Sequence, residues 1–395
     1  MYFEPTPNII TIQKADLLRL VEGCKHAVDK KSRDWTHKEM YIWAEPPKAI
    51  AVNSKDRDIA IQCNGTVKVE ESWDAVLPCD ELHKAIKAMP SGPIHLTIPP
   101  ITGNNMSVVV SSDSSPTKIP IVCQHWENEF PIGDPVVGGE SSIINTELLI
   151  KLLDSTYSAV CRRDDGNVGC GFRAQDGNLL VITHDKHRIA IAEAKDCLQP
   201  FTTTMMLPAK AFHALRKLCD CFMAASKKAR KAPIGDVYHA NGRINFLLGD
   251  FEITVKQSQY RFPTFENYLD GIDDLPPATL RHGSLLTALK EIAASSKAKD
   301  QNALLKIENG ILTLTADVPG VGEIKKTIKV EFDCPKMEVT LNVSYIIDGV
   351  AAMDCDLVNW WKKPERTDPL VMKPWGESED WDYSYIVMPI RTWKS

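Results

Sequence analysis

The sequence repeats itself at an interval of about one third of its length, and this repeat limits the possible folds more than any other feature. Residues 77–87 and residues 207–217 share Leu-Pro, a histidine and a final lysine at identical offsets, 130 residues apart. A second match joins Phe130-Pro131 to Phe262-Pro263, and a stretch of alternating apolar residues precedes each. Two matches in the same order indicate an internal duplication rather than chance similarity.

A third copy fits the remaining length of the 395-residue chain. Residues 341–350 begin 134 residues after Leu207, and the alternating residues 383–388 stand where a third terminal strand is expected. A helical pattern of apolar residues opens each third, over residues 14–28, 146–160 and 284–294. The sequence therefore predicts an α+β fold of three similar domains, residues 1–138, 139–274 and 275–395, each with two helices packed on antiparallel strands.

Short alternating runs lie between the predicted helices, and turn residues bound them. Asp-Gly, Asn-Gly and Glu-Asn-Gly sequences follow several of these runs and are typical of tight hairpins. Stretches rich in glycine, proline and acidic residues, at residues 133–139 and 271–277, are the predicted junctions between domains.

Composition narrows the class of protein. With 44% hydrophobic and 25% charged residues and no apolar run of about 18 residues, the chain is expected to fold without spanning a membrane. The first residues have neither a basic nor an apolar segment of the secretory type. The eleven cysteines are scattered without CxxC pairs, which predicts reduced, mostly buried thiols and a cytoplasmic protein.

Basic residues are concentrated in the predicted helices, although the net charge of the chain is −6. Residues 206–232 carry seven basic residues and one acidic residue. This distribution has two interpretations. One is a surface that faces a polyanion, and the other is the ordinary preference of lysine and arginine for helix C-termini.

Four short motifs, in order along the repeat, are similar to one protein family. They are Asp185-Lys186-His187-Arg188-Ile189, Arg261-Phe262-Pro263, Leu341-Asn342-Val343-Ser344-Tyr345-Ile346-Ile347-Asp348 and Tyr385-Ile386-Val387-Met388-Pro389-Ile390-Arg391. On these residues the chain resembles the bacterial DNA sliding clamp, the beta subunit of DNA polymerase III, as a divergent member.

The resemblance implies a head-to-tail homodimer that closes into a six-domain ring around duplex DNA, with the helices lining the hole. Such a processivity factor binds DNA without reading its sequence and needs no catalytic group and no cofactor. It would be cytoplasmic and associated with the nucleoid. The DNA-facing candidates by position are Arg19, Lys31, Lys84, Lys87, Lys151, Arg162, Arg163, Lys210, Arg216, Lys217 and Lys290.

The resemblance also implies a hydrophobic pocket for short peptide motifs of the polymerase catalytic subunit, the clamp loader and repair proteins. Carried over motif by motif, its residues are His187, Arg188, Ile189, Pro263, Asn267, Tyr268, Asn342, Tyr345, Ile386, Val387, Met388, Pro389, Ile390 and Arg391. A buried core position is the alternative interpretation for Ile189, Ile386 and Met388, and a structural ion pair is the alternative for His187 and Arg188 together.

The sequence departs from the family pattern at the predicted pocket. Lys186 stands where the family usually has glycine, and Asn267 and Tyr268 stand where many members have a basic and an aliphatic residue. The chain also continues past Arg391 through Thr392-Trp393-Lys394-Ser395. These differences concern peptide preference more than the assignment as a clamp.

Two other classes of function remain open. His184 and His187 could ligate a metal, but an alternating strand would point them to opposite faces, and no second ligand cluster is evident. No metal site is therefore predicted. The second alternative is a non-catalytic repeat scaffold that binds proteins only, which salt-dependent retention on DNA would distinguish from a clamp.

Overall fold

The computed structural model of the chain describes residues 8–99, 107–123, 139–160, 170–198, 202–295, 301–318, 320, 322–332, 334–376, 378 and 380–390. Within these residues one order of elements occurs three times: a strand, a helix, four strands, a second helix and three strands. The predicted threefold α+β repeat is confirmed by this order.

The first repeat consists of β1 (Asn8–Gln13), α1 (Lys14–Cys24), β2 (Glu39–Glu45), β3 (Ala49–Lys55), β4 (Ile59–Thr66), β5 (Trp73–Pro78), α2 (Cys79–Ala88), β6 (Pro93–Ile98), β7 (Ser107–Ser112) and β8 (Ser115–Val122). The second consists of β9 (Glu140–Asn145), α3 (Thr146–Thr156), β10 (Cys170–Gln175), β11 (Asn178–His184), β12 (Arg188–Ala194), β13 (Thr203–Leu207), α4 (Ala209–Ala229), β14 (Ile234–Ala240), β15 (Arg243–Leu248) and β16 (Phe251–Lys256).

A short helix, α5 (Glu266–Leu269), precedes the third repeat. That repeat consists of β17 (Ala278–Arg281), α6 (His282–Ser295), β18 (Asn302–Glu308), β19 (Ile311–Val318), β20 (Gly322–Lys329), β21 (Met337–Asn342), α7 (Val343–Ala351), β22 (Leu357–Lys362), β23 (Leu370–Pro374) and β24 (Trp381–Val387).

The chain divides into two compact units. Unit one contains Met1–Glu147 with Lys210–Ser258, and unit two contains Leu148–Ala209 with Gln259–Ser395. Each unit holds an eight-stranded sheet made of four strands from one repeat and four from the next, which is why three repeats form two compact units. The two boundaries between the three domains, at residues 138 and 274, stay a prediction.

The sheets of both units follow the same plan. Unit one has an eight-stranded sheet in the order β5-β2-β3-β4-β16-β15-β14-β9 and a four-stranded sheet β1-β6-β7-β8. Unit two has an eight-stranded sheet in the order β13-β10-β11-β12-β24-β23-β22-β17 and a four-stranded sheet β20-β19-β18-β21. The strand pairs are antiparallel throughout. In unit two, the central strands β11 and β24 are buried on both faces, since the segment at residues 262–275 packs on one face of their sheet.

Local chemistry sets the helices and hairpins. In α1, Leu17, Leu20, Val21 and Cys24 recur at three- and four-residue spacing, and all are buried. The helix ends at Cys24, four residues before the predicted end, because the chain turns there with the Ala27 amide donating to the Cys24 carbonyl. Two-residue hairpins form at the Asp-Gly and Asn-Gly sequences, where both turn residues have positive φ.

Candidate functional site

Strands β12 and β24 bring two halves of the predicted pocket together in unit two. Arg188 pairs with Val387 and Ile189 pairs with Ile386 in an antiparallel register. Just beyond the ladder, the Met388 amide donates to the His187 carbonyl at 2.8 Å. The motifs of the second and third repeats therefore meet, although about 200 residues separate them in the sequence.

Arg188 is an anchor between four elements, with a side chain that is 11% exposed. It donates to Asp185 at 2.9 Å, to Asp348 at 2.5 Å, to the Tyr385 hydroxyl at 3.2 Å and to the Ser158 carbonyl at 2.5 Å. Burial by itself would lower the pKa of Arg188, but Tyr385, Asp348 and Asp185 outweigh that effect and raise it above its ordinary value. Arg188 thus holds the site together, with four of its five N–H donors bonded within unit two.

An aromatic pair, the exposed His187 and the half-buried Tyr345, lies beside Arg188. The His187 ring stacks on Tyr345 at a centroid distance of 6.1 Å, and the Arg188 guanidinium lies 4.4 Å from the centre of the same Tyr345 ring. Asn342 is the N-cap of α7, since its side-chain oxygen accepts from the Ser344 amide at 2.9 Å. Asn342 therefore supports Tyr345 by fixing the start of the helix that carries it.

Much of the apolar part of the predicted pocket is filled by the chain itself. Ile386 and Val387 are fully buried. Ile386 belongs to a core cluster against which Ile189, Phe262 and Tyr268 are packed and remain half-buried; its buried members are Leu180, Ile182, Ile191, Phe265, Ile272, Trp361, Val371 and Ile386. The core interpretation thus fits Ile386, whereas Ile189 and Tyr268 form the accessible margin.

The remaining predicted residues lie at the border of this cluster. Pro263 and Met388 are half-buried, and Asn267 is exposed, with its carbonyl accepting from the Lys363 ammonium at 3.2 Å. Arg391 lies outside the described residues.

A groove of about 990 Å³ adjoins the end of β24. Pro389 and Ile390 line it from the predicted set, and the Ile390 amide donates to the Thr340 carbonyl of β21 at 2.9 Å. The remaining wall was not singled out from the sequence and comprises Leu275, Pro276, Leu304, Pro335, Lys336, Met337, Glu338, Val339, Thr340, Lys362, Lys363, Pro364 and Arg366. In the sequence, the tryptophan- and lysine-rich run at residues 360–363 is the one feature that marks this wall. The other lining residues come from separate strands, which no local pattern connects.

Several predicted DNA-facing cations form ion pairs or ring contacts inside their own unit. Arg19 lies 3.3 Å from Asp250, with its guanidinium 5.2 Å from the centre of the Phe251 ring. Lys210 ion-pairs with Asp56 and donates to the Ala27 carbonyl at 2.7 Å.

Three further cations have partners on or near their own helices. Arg216 pairs with Asp220 at 2.5 Å, and Lys217 lies 3.8 Å from the same carboxylate. The Lys151 ammonium lies 3.9 Å from the centre of the Trp381 ring. These contacts leave less of the charge of Lys151 and Arg216 available to a polyanion than position in the sequence suggests, whereas the side chain of Lys217 is still 60% exposed.

Other predicted cations are exposed on the helices and the loop after α1. Lys31, Lys84 and Lys290 have no salt-bridge partner among the described residues, and Lys87 lies 3.4 Å from Glu22 while remaining 54% exposed. Lys227 and Lys228, at the end of α4, are also exposed and were missing from the predicted set. Arg162 and Arg163 lie outside the described residues.

No metal or disulfide chemistry is assembled in the part of the chain that the structure describes. No group of three or more His, Cys, Asp or Glu side chains there is placed to hold a metal ion. All ten described cysteines are free, and six of them are buried. The described helices include none that is both long and apolar enough to cross a membrane.

Comparison with known proteins gives a consistent result. A family model for the DNA polymerase III beta subunit, C-terminal domain, matches residues 277–391. The chain is 22% identical over 354 residues to a beta sliding clamp from Synechococcus elongatus, covering 87% of this chain and 88% of that protein. It is 25% identical over 269 residues to a beta sliding clamp from Pseudomonas aeruginosa, covering 67% and 69%.

The fold agrees with solved structures over nearly the whole chain. The DNA polymerase III beta subunit from Thermotoga maritima superposes with a TM-score of 0.84 at 18% identity, covering 97% of this chain and 99% of that one. At this identity the match establishes the fold.

Proposed function

We propose that this chain, a divergent member of the bacterial beta sliding clamp family, is a DNA sliding clamp that tethers a replicative polymerase to duplex DNA. The observation that carries the proposal is the threefold repeat of one order of elements, in a fold that matches a DNA polymerase III beta subunit over 97% of the chain. The protein is a non-catalytic processivity factor. It acts in DNA replication, in the cytoplasm and in association with the nucleoid.

Two copies form the ring in this proposal. One chain contains three repeats and two junctions between them, so a head-to-tail homodimer supplies six repeats and two further junctions. Strand β8 of the first repeat and strand β20 of the third are edge strands in one chain, whereas their counterparts in the other repeats pair across a junction between repeats. This difference supports a closure in which the first repeat of each copy meets the third repeat of the other.

Duplex DNA passes through this ring without being read. The phosphate backbone carries a dense and uniform charge, so exposed lysines attract it regardless of sequence, and weak contacts permit sliding. Lys31, Lys84, Lys87, Lys217 and Lys290 are the predicted contacts that the exposure of their side chains supports best. Lys227 and Lys228 join them because they extend the same basic helix α4.

The polymerase catalytic subunit, the clamp loader and repair proteins bind the clamp through short peptide motifs. The proposed site is the margin formed by His187, Ile189, Tyr268, Tyr345 and Met388, continued by Pro389 and Ile390 into the neighbouring groove. An apolar surface with a few polar groups is suited to capture of an extended peptide.

Small-angle X-ray scattering with an absolute mass tests the assembly directly. We expect a mass near twice 44.1 kDa and a distance distribution that requires a central hole. A compact particle without a hole, at any mass, would refute the ring and favour a scaffold that binds proteins only. Salt-dependent retention on DNA separates these two functions independently of the mass.

A further inference from the structure

Both junctions between repeats within the chain join the same two kinds of strand. In unit one, β4 of the first repeat pairs with β16 of the second, and Gln62 lies opposite Glu252. In unit two, β12 of the second repeat pairs with β24 of the third, and Ile191 lies opposite Ser384. Each junction therefore joins the fourth strand of one repeat to the eighth strand of the next.

The fourth-strand residues at these junctions occupy one equivalent position. In every repeat, we follow direct strand partners across the sheet. The row begins at the residue three places before the second helix and ends at its partner on the fourth strand. The rows are Val76, Tyr41, Asn53 and Gln62; Met206, Gly171, Ile182 and Ile191; and Thr340, Leu304, Thr315 and Lys325. Lys325 on β20 is thus the counterpart of Gln62 and Ile191.

The eighth-strand residues also occupy one equivalent position. Here the row starts three places before the first helix of the repeat. The rows are Thr11, His95, Ser111 and Lys118; Ile143, Asp236, Leu247 and Glu252; and Thr279, Asn359, Lys373 and, one residue beyond the last pair of the β23–β24 ladder, Ser384. Lys118 on β8 is thus the counterpart of Glu252 and Ser384.

We propose that β8 and β20 close the ring with Lys118 of one copy directly opposite Lys325 of a second copy. This inference rests on the proposed head-to-tail dimer and adds its register and its electrostatics. The same register sets Ile119 opposite Ile324, and both are half-buried in the single chain. Apolar residues therefore meet on the inner face, while the exposed Lys118 and Lys325 meet on the outer face.

This closing junction differs in charge from the two junctions inside the chain. The paired strands β4, β16 and β12 each have a net charge of zero, and β24 has −1. In contrast, β8 has +1 and β20 has +2. The value for β20 already includes Glu323, which lies 2.6 Å from Lys325. Glu291 of α6, 2.6 Å from Lys326, offsets one further charge, and the two edges keep the same sign.

Each internal junction also has a contact between a cation and an aromatic ring, and strand β8 at the closing junction has no aromatic residue that could form it. Arg19 lies over Phe251 on β16, and Lys151 lies over Trp381 on β24, so each internal junction includes a cation on an aromatic ring. Strand β8 has no aromatic residue. The closing junction therefore lacks this contact, and screening by salt strengthens the closure, because like charges directly opposite each other on neighbouring strands are destabilising.

The dimer dissociation constant of Lys118→Glu and wild type, measured by analytical ultracentrifugation across a salt series, tests the proposal. We expect the wild-type dimer to tighten as salt rises and Lys118→Glu to bind roughly tenfold more tightly at low salt, since each dimer has two such junctions. Adding Lys325→Glu to Lys118→Glu should restore weak binding. Lys48→Glu, an equal charge change at an exposed turn away from both edges, is the control.

A short amine-reactive cross-linker tests the register itself. We expect a Lys118–Lys325 product between copies, and Lys118→Arg should abolish it while retaining the charge. Three results would overturn this inference: a dimer that weakens as salt rises, no tightening by Lys118→Glu, or no Lys118–Lys325 product. Each of these results would still be compatible with the proposed ring. Absence of any dimer in every variant and at every salt concentration would overturn the ring as well.

Discussion

Arg188 shows how one residue can satisfy a family motif and yet have a use that the motif does not reveal. Its guanidinium binds two carboxylates, a tyrosine hydroxyl and a backbone carbonyl. Removing one member of such a network leaves the other groups without partners, which is strongly destabilising when they are buried. A substitution at Arg188 would therefore destabilise unit two as well as alter the peptide site, and Met388 and Pro389 are better probes of peptide binding.

Lys186 and Arg230 occupy backbone conformations that usually favour glycine. Their φ angles are 71° and 54°, in the left-handed region that costs a non-glycine residue roughly 1 kcal/mol. Lys186 stands in the turn where the family usually has glycine, so the turn keeps a glycine-like conformation without glycine. Arg230 follows the last turn of α4 and adds to the basic charge there.

Glu39 makes stability depend on pH. The residue is 6% exposed, and its Oε2 has no hydrogen-bond partner among the described residues. Burial, followed by the nearby Glu81, raises the pKa of Glu39 to about 7. Because the folded pKa exceeds the unfolded value, its contribution to stability is lost as pH rises from about 4.5 to about 7. We compare the free energy of unfolding of Glu39→Gln with that of wild type. We expect this difference to favour the variant by about 2–3 kcal/mol more at pH 8 than at pH 4.5.

Urea unfolding of the two proteins at both pH values measures this difference, and groups common to both proteins cancel. An equal difference between Glu39→Gln and wild type at pH 4.5 and pH 8 would contradict the raised pKa of Glu39.

At the scale of elements, the peptide site depends on the ends of strands rather than on their middles. The middle of β24 is buried, whereas Met388, Pro389 and Ile390 lie beyond its last paired residue and remain half-buried. Strand pairing therefore fixes the site, while the residues after the strand are available to a partner.

Combined Met388→Ala and Pro389→Ala substitutions test the peptide site. We expect binding of a polymerase-derived peptide to weaken about tenfold or more, because each substitution removes accessible apolar surface from the site, while the dimer mass stays the same. Isothermal titration calorimetry measures the affinity. The matched control is Val387→Ala, which shortens a fully buried neighbour and should lower thermal stability instead. Unchanged peptide affinity in the double variant would exclude this site.

At the scale of the whole molecule, the exposed lysines without salt-bridge partners among the described residues give the sharpest test of DNA binding. Reversing the charge of Lys84 and Lys290 should weaken DNA binding. The slope of the logarithm of the affinity against the logarithm of the salt concentration should become shallower by about one unit for each phosphate that is no longer neutralised. Peptide affinity should remain unchanged. Fluorescence anisotropy on a labelled duplex measures both the affinity and the slope, with Lys48→Glu as the control; an unaltered slope would mean that these lysines do not face DNA.

The sequence by itself determined the threefold repeat, because the features that build each repeat are local. Apolar spacing in helices, alternation in strands and Asn-Gly turns act within a few residues, and they predicted the helices to within a few residues of their observed ends. The meeting of Arg188 and Ile189 with β24 followed from the family motifs rather than from any local pattern.

Only the tertiary structure decided which charges are available and which apolar residues are covered. Arg19 and Asp250 are 231 residues apart, and Lys210 and Asp56 are 154 residues apart, so no local pattern could reveal that these cations are paired. The burial of Ile386 likewise depends on strands of two repeats and on the segment before β17. Long-range strand pairing brings these groups together, and the strength of an ion pair or an apolar contact depends on that proximity and not on position along the chain.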